Sequence, residues 1–348
     1  MFSLKRKKET GFFPISVTNE LKGFAILAVI FSHIGYFLST DTRFLFPWSI
    51  IAGVGVDIFL FLSGYGLAIS SSTKDLPPLK FYKKRLIKLF VPLWLIVGAF
   101  LLLDLFLLQR VYPTAEIITS FLGIFPSADI FLNLNSPLWY FTLILFYYLI
   151  FPWVFDRKRP LTSAALLITI SYFVSQIKLP VNESVLHLYK LHYLAFGLGV
   201  LFAAGFFRIS FFKKFIPTKL EKILYRVSHL KNWDRLLALA GLIALVAYFS
   251  IHSGWSEKTI IAQSISLLTA LALILIFLIK KTEFKALTIL GIYSYEIYLI
   301  HWPIMYRYDI FYKFLPAAIA TVLYLILFVG LGWLLSKLQK TIFKKISA

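Results

Sequence analysis

The chain has 348 residues, 59% of them hydrophobic, 18% aromatic and only 15% charged, with a net charge of +20 and no cysteine. Soluble domains are about half apolar and about a quarter charged, so this composition excludes an ordinary soluble fold and points to a membrane protein rather than a nucleic-acid binder. Without cysteine there is no disulfide, no thiolate nucleophile and no cysteine-based metal site.

Ten apolar stretches can be read, at about 21–38, 49–70, 86–108, 137–155, 161–176, 191–207, 236–252, 259–279, 286–303 and 315–335. Most approach the roughly 20 residues that cross a bilayer as helix, and helices satisfy their own backbone groups in lipid. The expected fold is all-α: a polytopic bundle of about ten transmembrane helices forming one domain over 1–348. No alternating strand pattern, internal repeat or low-complexity segment competes. Segment 1–18 is basic but has no apolar core ending at a small-residue cleavage site, so it is not read as a removable signal.

Charge sets the expected orientation. The N-terminus through Lys22, the loops 71–88 and 208–235, residues 157–159 and 280–285, and the tail 336–348 hold 29 of the 36 Lys and Arg. The alternate loops hold Arg43, Arg110, Lys178, Lys190, Lys258, Arg307 and Lys313. The positive-inside rule then puts both termini in the cytoplasm of a multi-pass plasma-membrane protein.

In the first span, "LKGFAILAVIFSH" at 21–33 separates Lys22 from His33 by eleven residues. Eleven residues are three helical turns plus about 20°, so both lie on one face about 16 Å apart along the axis. Lys22 alone reads as a snorkelling anchor. His33 is a functional candidate, because ionisable groups inside a span are costly; a structural histidine bonded to a neighbouring helix is the alternative. In the second span, Asp57 is expected at nearly the depth of His33. There a carboxylate would hold the imidazole's tautomer and raise its basicity, or form a structural polar pair with it. Glycines 53, 55, 64 and 66 suit close helix approach or a threaded ligand equally well.

The third span opens with "FYKKRLIKLFVPLW", where Lys84, Arg85 and Lys88 share one side of a helical turn. The cluster suits phosphate groups, although positive-inside topology also accounts for it. Trp139 and Tyr140 start the fourth span as a candidate sugar platform or part of an interfacial aromatic belt. In the ninth span Glu296 and His301 are expected in the outer half, where they would line an acceptor site. His187 and His192 sit near an outer loop, His252 ends a span and His229 lies in a basic loop. None shows a ligand spacing, and no metal is assigned. Asp104 is expected to be solvated near a helix end.

Five stretches in order carry a resemblance: "NELKGFAILAVIFSH", "GVDIFLFLSGYGL", "FYKKRLIKLFVPLW", "NSPLWYFTLILFYYLIFP" and "GIYSYEIYLIHWPI". Together they resemble the membrane-bound acyltransferase-3 family, in its stand-alone members. Lys22 and His33 match its signature of a basic residue, ten positions and a histidine, while Asp57, Ser63 and Gly64 match its GVD…SG segment. Many relatives carry arginine where this chain has Lys22, and an acid where it has Asn19. The resemblance implies transfer of an acyl group, commonly acetyl, from cytoplasmic acyl-CoA to a hydroxyl of an extracytoplasmic glycan, with no tightly bound cofactor. Lys22, Lys84, Arg85 and Lys88 would meet the CoA phosphates, His33 would act as general base and Asp57 would orient it. A glycan transporter or flippase, or a non-catalytic subunit of a polysaccharide assembly system, is the alternative.

Overall fold

The computed structural model describes residues 4–6, 13–37, 52–73, 77–127, 134, 137–211, 232–252 and 259–347; Arg43, Lys258 and His229 lie outside them. The described residues are nearly all helical. In chain order the helices are α1 (Ile15–Phe37), α2 (Ala52–Thr73), α3 (Pro78–Leu108), α4 (Thr114–Phe121), α5 (Trp139–Val154), α6 (Pro160–Gln176), α7 (Glu183–Phe211), α8 (Asn232–His252), α9 (Ile260–Ile279), α10 (Lys285–Ile292), α11 (Ser294–Trp302) and α12 (Ala317–Ser347). A π-helical turn spans Pro303–Tyr308. Six helices, α1, α2, α3, α7, α8 and α12, are long and apolar enough to cross a membrane, and α5, α6 and α9 are shorter apolar helices.

Each expected span has a helical counterpart, but some ends move. Helix α7 starts at Glu183 and α3 at Pro78, about two turns earlier than hydropathy alone indicates, because their first turns are polar. Helix α12 runs on through the basic tail to Ser347. The ninth span is bent at Tyr293 (φ −104°, ψ 13°), where the Tyr293 N–H to Ile289 carbonyl bond stretches to 3.4 Å. It then widens into the π turn at Pro303, whose ring supplies no N–H to an α-helical ladder.

Small residues decide the helix contacts that centre the molecule. Helix α1 packs between α2 and α10, and α2 packs against α7 on its other flank. A Cβ on Gly23 would run into the Leu287 carbonyl, and one on Gly291 into the Asn19 carbonyl. Gly64 and Gly199 do the same for α2 and α7, against Phe196 and Phe61. Gly64 is thus explained by backbone approach; Gly66 faces open space. Large apolar side chains left exposed on α3, α8 and α12 are what a lipid solvent accepts.

One feature is not helical. Leu4–Arg6 pairs antiparallel with Thr282–Phe284, in the register Leu4 opposite Phe284 and Arg6 opposite Thr282. Beneath it the buried Glu20 carboxylate accepts bonds from the Lys280 ammonium and, at 2.7 Å, from the Phe284 N–H. The Lys280 charge lies over the Phe277 and Phe284 rings, 4.3 and 4.4 Å from their centroids. This clasp ties the first helix to the end of α9.

Candidate active site

Helix α1 carries a functional candidate near each end of one face. Near its end, His33 is partly exposed and its Nδ1 lies 2.8 Å from Nε2 of His301. The two rings are 5° from coplanar with centroids 5.1 Å apart, an edge-to-edge arrangement with the nitrogens facing. Trp302 meets the His33 ring edge-on at 5.1 Å. His301 is fully buried, and its Nδ1 bonds the carbonyls of Ile297 (3.1 Å) and Tyr298 (2.9 Å), one turn back on α11. Nε2 of His33 has no hydrogen-bond partner among the described residues.

Asp57 does not join this pair, which corrects the sequence expectation. Helices α1 and α2 run antiparallel, with Phe13 on Tyr65 (4.9 Å between centroids) and Gly55 against Ala25, Ala28 and Val29. That register sets Asp57 beside residues near 25, and His33 stands about eight residues, or ~12 Å, further along α1. The Asp57 carboxylate is fully buried and faces α7 and α9. It accepts from His192 Nδ1 (2.7 Å), Ser266 Oγ (3.0 Å) and, more weakly, Gln263 Nε2 (3.4 Å). His192, expected near an outer loop, lies nine residues inside α7, which starts at Glu183. Trp139 is 9% exposed and packs against the His192 ring, 5.8 Å away and 22° from parallel, so that indole surface is covered.

At the other end of the α1 face, Lys22 feels the charges of Arg85 and Glu296. Arg85 is half-buried and donates from Nη2 to Ser70 Oγ at 3.2 Å. Lys84 and Lys88 are exposed instead. They lie one turn apart on a strip about 60–100° around the helix from Arg85, so the expected basic cluster splits and Arg85 alone turns inward. Glu296 is also placed differently from expectation. It lies at the Lys22 end, bonded by Gln339 Nε2 at 3.2 Å and within the field of Lys340, whereas His301 lies at the His33 end. Their separation of five residues corresponds to about 7.5 Å of helix.

Tyrosines fill the space between the two ends. Tyr140 and Tyr148 approach the Ser63 hydroxyl, and Tyr148 feels Arg85. The Tyr140 ring meets Tyr298 edge-on at 5.6 Å, and Tyr298 lies 6.2 Å from the His301 ring. Tyr295 donates to the Leu89 carbonyl at 2.5 Å and Tyr298 to the Pro137 carbonyl at 3.1 Å. Tyr148 and Tyr295 lie in two of the stretches that carry the resemblance, but only the fold brings them together here.

Two further features lie outside this line. Asp104 is fully buried, not solvated: it accepts from Tyr112 and Tyr308 (both 2.6 Å) and from Arg307 Nη1 (2.5 Å). Arg307 also donates to the Leu134 carbonyl. Burial and the neighbouring carboxylate push the Tyr112 phenol up, so it remains a donor. A cavity of about 430 Å3 between α5, α6 and α7 has walls such as Leu143, Phe146, Val174 and Val181, and neither His33 nor Lys22 lines it.

Residues 19–337 match the profile of the acyltransferase domain of the acyltransferase-3 type. The chain belongs to the acyltransferase-3 family. The match begins at the turn before Lys22 and ends within α12, so it includes both ends of the α1 face. No curated protein and no solved structure matches the chain. Family membership identifies an integral membrane acyltransferase.

Proposed function

We propose that this acyltransferase moves an acyl group, acetyl being the simplest, from cytoplasmic acyl-CoA to a hydroxyl of an extracytoplasmic glycan. The observation that carries the reading is the α1 face: an inward-turned cation pair, Lys22 and Arg85, at one end, and His33, whose second ring nitrogen has no partner among the described residues, at the other. Both termini are cytoplasmic in this reading, which puts Lys22 at the inner mouth.

Lys22 and Arg85 attract the CoA phosphates, with arginine able to grip two oxygens at once. Glu296 balances that charge when no donor is bound. The pantetheine arm runs from there along the α1 face, past Tyr148, Tyr140 and Tyr298, toward His33. There Nε2 of His33 takes the proton of the acceptor hydroxyl as its oxygen attacks the thioester carbonyl. The C–O bond forms, the C–S bond breaks, and the proton passes from His33 to the departing thiolate as CoA–SH.

The test supplies radiolabelled acetyl-CoA to membranes holding the wild type or His33→Ala. Label should reach membrane carbohydrate with the wild type and fall to background with the variant; equal labelling would reject the assignment. A glycan transporter would instead move its cargo without any acyl-CoA requirement.

A further inference from the structure

We infer that His301 is a positioning residue that fixes the tautomer of His33 and supports the charge that forms on it. The inference rests on the reading of His33 as the base and goes beyond it, because it says which nitrogen acts and what holds the other.

The bonding pattern has one solution for neutral rings. Backbone carbonyls only accept, so Nδ1 of His301, bonded to Ile297 and Tyr298, carries that ring's hydrogen. A neutral imidazole has one N–H, so Nε2 of His301 is a lone pair. The 2.8 Å contact is then a bond donated by Nδ1–H of His33 to Nε2 of His301. Nε2 of His33 is left as the lone pair, and it is the nitrogen without a partner among the described residues. Reversing the tautomers would aim a lone pair of His301 at two carbonyl oxygens.

In a Ser-His-Asp triad a carboxylate orients the base. Here a second imidazole does so, itself held by the backbone of α11. A neutral acceptor avoids the desolvation cost that a carboxylate would meet in this site, walled by Phe328 and Trp302. When Nε2 of His33 gains a proton, the bond to His301 becomes charge-assisted and stronger. His301 has no nitrogen left for an acceptor and is fully buried, so it acts through His33 rather than on substrate.

The test uses the purified full chain in detergent with isotope-labelled histidine. The chain has six histidines; the His33 and His301 signals are identified by their loss in His33→Ala and His301→Ala. Nitrogen NMR should show hydrogen on Nδ1 and none on Nε2 in both rings. In His301→Ala, His33 should lose that fixed tautomer, and kcat should fall about 10²- to 10⁴-fold with the KM for acyl-CoA little changed. His301→Gln, whose amide oxygen can accept the His33 bond, should recover at least about tenfold over His301→Ala, a gain of about 1.4 kcal/mol in the transition state. His301→Phe, which keeps bulk but accepts nothing, should not recover. A wild-type His33 with hydrogen on Nε2, or no difference between the Gln and Phe variants while His33→Ala is inactive, would overturn the inference alone. Full activity in His33→Ala would overturn the base reading as well as the catalytic part of this one. The tautomer measurement does not depend on the Phe variant folding.

Discussion

Asp57 has three donors converging on a carboxylate with no exposed surface. Breaking a buried pair from one side strands the other, at a cost of about 3–5 kcal/mol. Asp57→Ala should therefore lower the thermal unfolding midpoint in detergent sharply. A double-mutant cycle locates its partner: Asp57 and His192 should couple by about 0.5–3 kcal/mol, and Asp57 and His33 should be additive. Coupling to His33 and none to His192 would contradict the geometry. The basic residues separate in the same way. Lys22→Ala and Arg85→Ala should raise the KM for acyl-CoA more than they lower kcat, because they act on the donor's phosphates. Lys84→Ala and Lys88→Ala, exposed on another strip of α3, should change KM little. Equal KM effects at all four positions would restore the single basic cluster that spacing suggests.

The elements behind these residues meet where glycines let backbones touch, and substitution there moves helices rather than side chains. Gly23→Ala and Gly291→Ala each place a methyl against a backbone carbonyl, which cannot swing aside. Both should push α10 from α1 and reduce folded yield and melting temperature. Gly98→Ala, in α3 with open space around it, should be neutral or gain up to about 1 kcal/mol from helix propensity. Thermal melts of the three variants side by side check this; a benign Gly291→Ala would remove close packing as the reason for that glycine. Span positions were legible in the sequence because apolar runs report helices directly. The pairing of Asp57 is not legible there, since span ends give only an approximate depth while the register follows Gly55 on Ala25. The polar first turns of α7 hide the start of its helix, so hydropathy puts His192 at the edge of its span rather than nine residues inside the helix. The strand pair at Leu4–Arg6 has too few residues to show alternation, and the placement of Glu296 beside Lys22 depends on the bend at Tyr293 and the packing on α12, neither of which leaves a periodic trace.

For the molecule as a whole, the reading requires the Lys22 end to face the cytoplasm, and the chain offers a direct way to test it. It has no cysteine, so a single introduced thiol reports its own side without background. Helix α6 links two exposed sites of opposite expectation: Lys158 just before it and Lys178 just after it. Its 17 residues span about 25 Å, most of a hydrocarbon core of about 30 Å. In intact cells, a membrane-impermeant maleimide should label Lys178→Cys and spare Lys158→Cys and Lys83→Cys, the last exposed near the start of α3, while permeabilised cells should label all three. Basic residues favour the cytoplasmic side at roughly 1 kcal/mol each near an anionic surface, and the 29-to-7 distribution of Lys and Arg biases every loop in the same sense. Labelling of Lys83→Cys from outside would place Lys22 and Arg85 on the face where acyl-CoA is absent. The chemistry at His33 would then lack its donor, and transfer across the membrane in the proposed direction would fail, however well the two imidazoles are aligned.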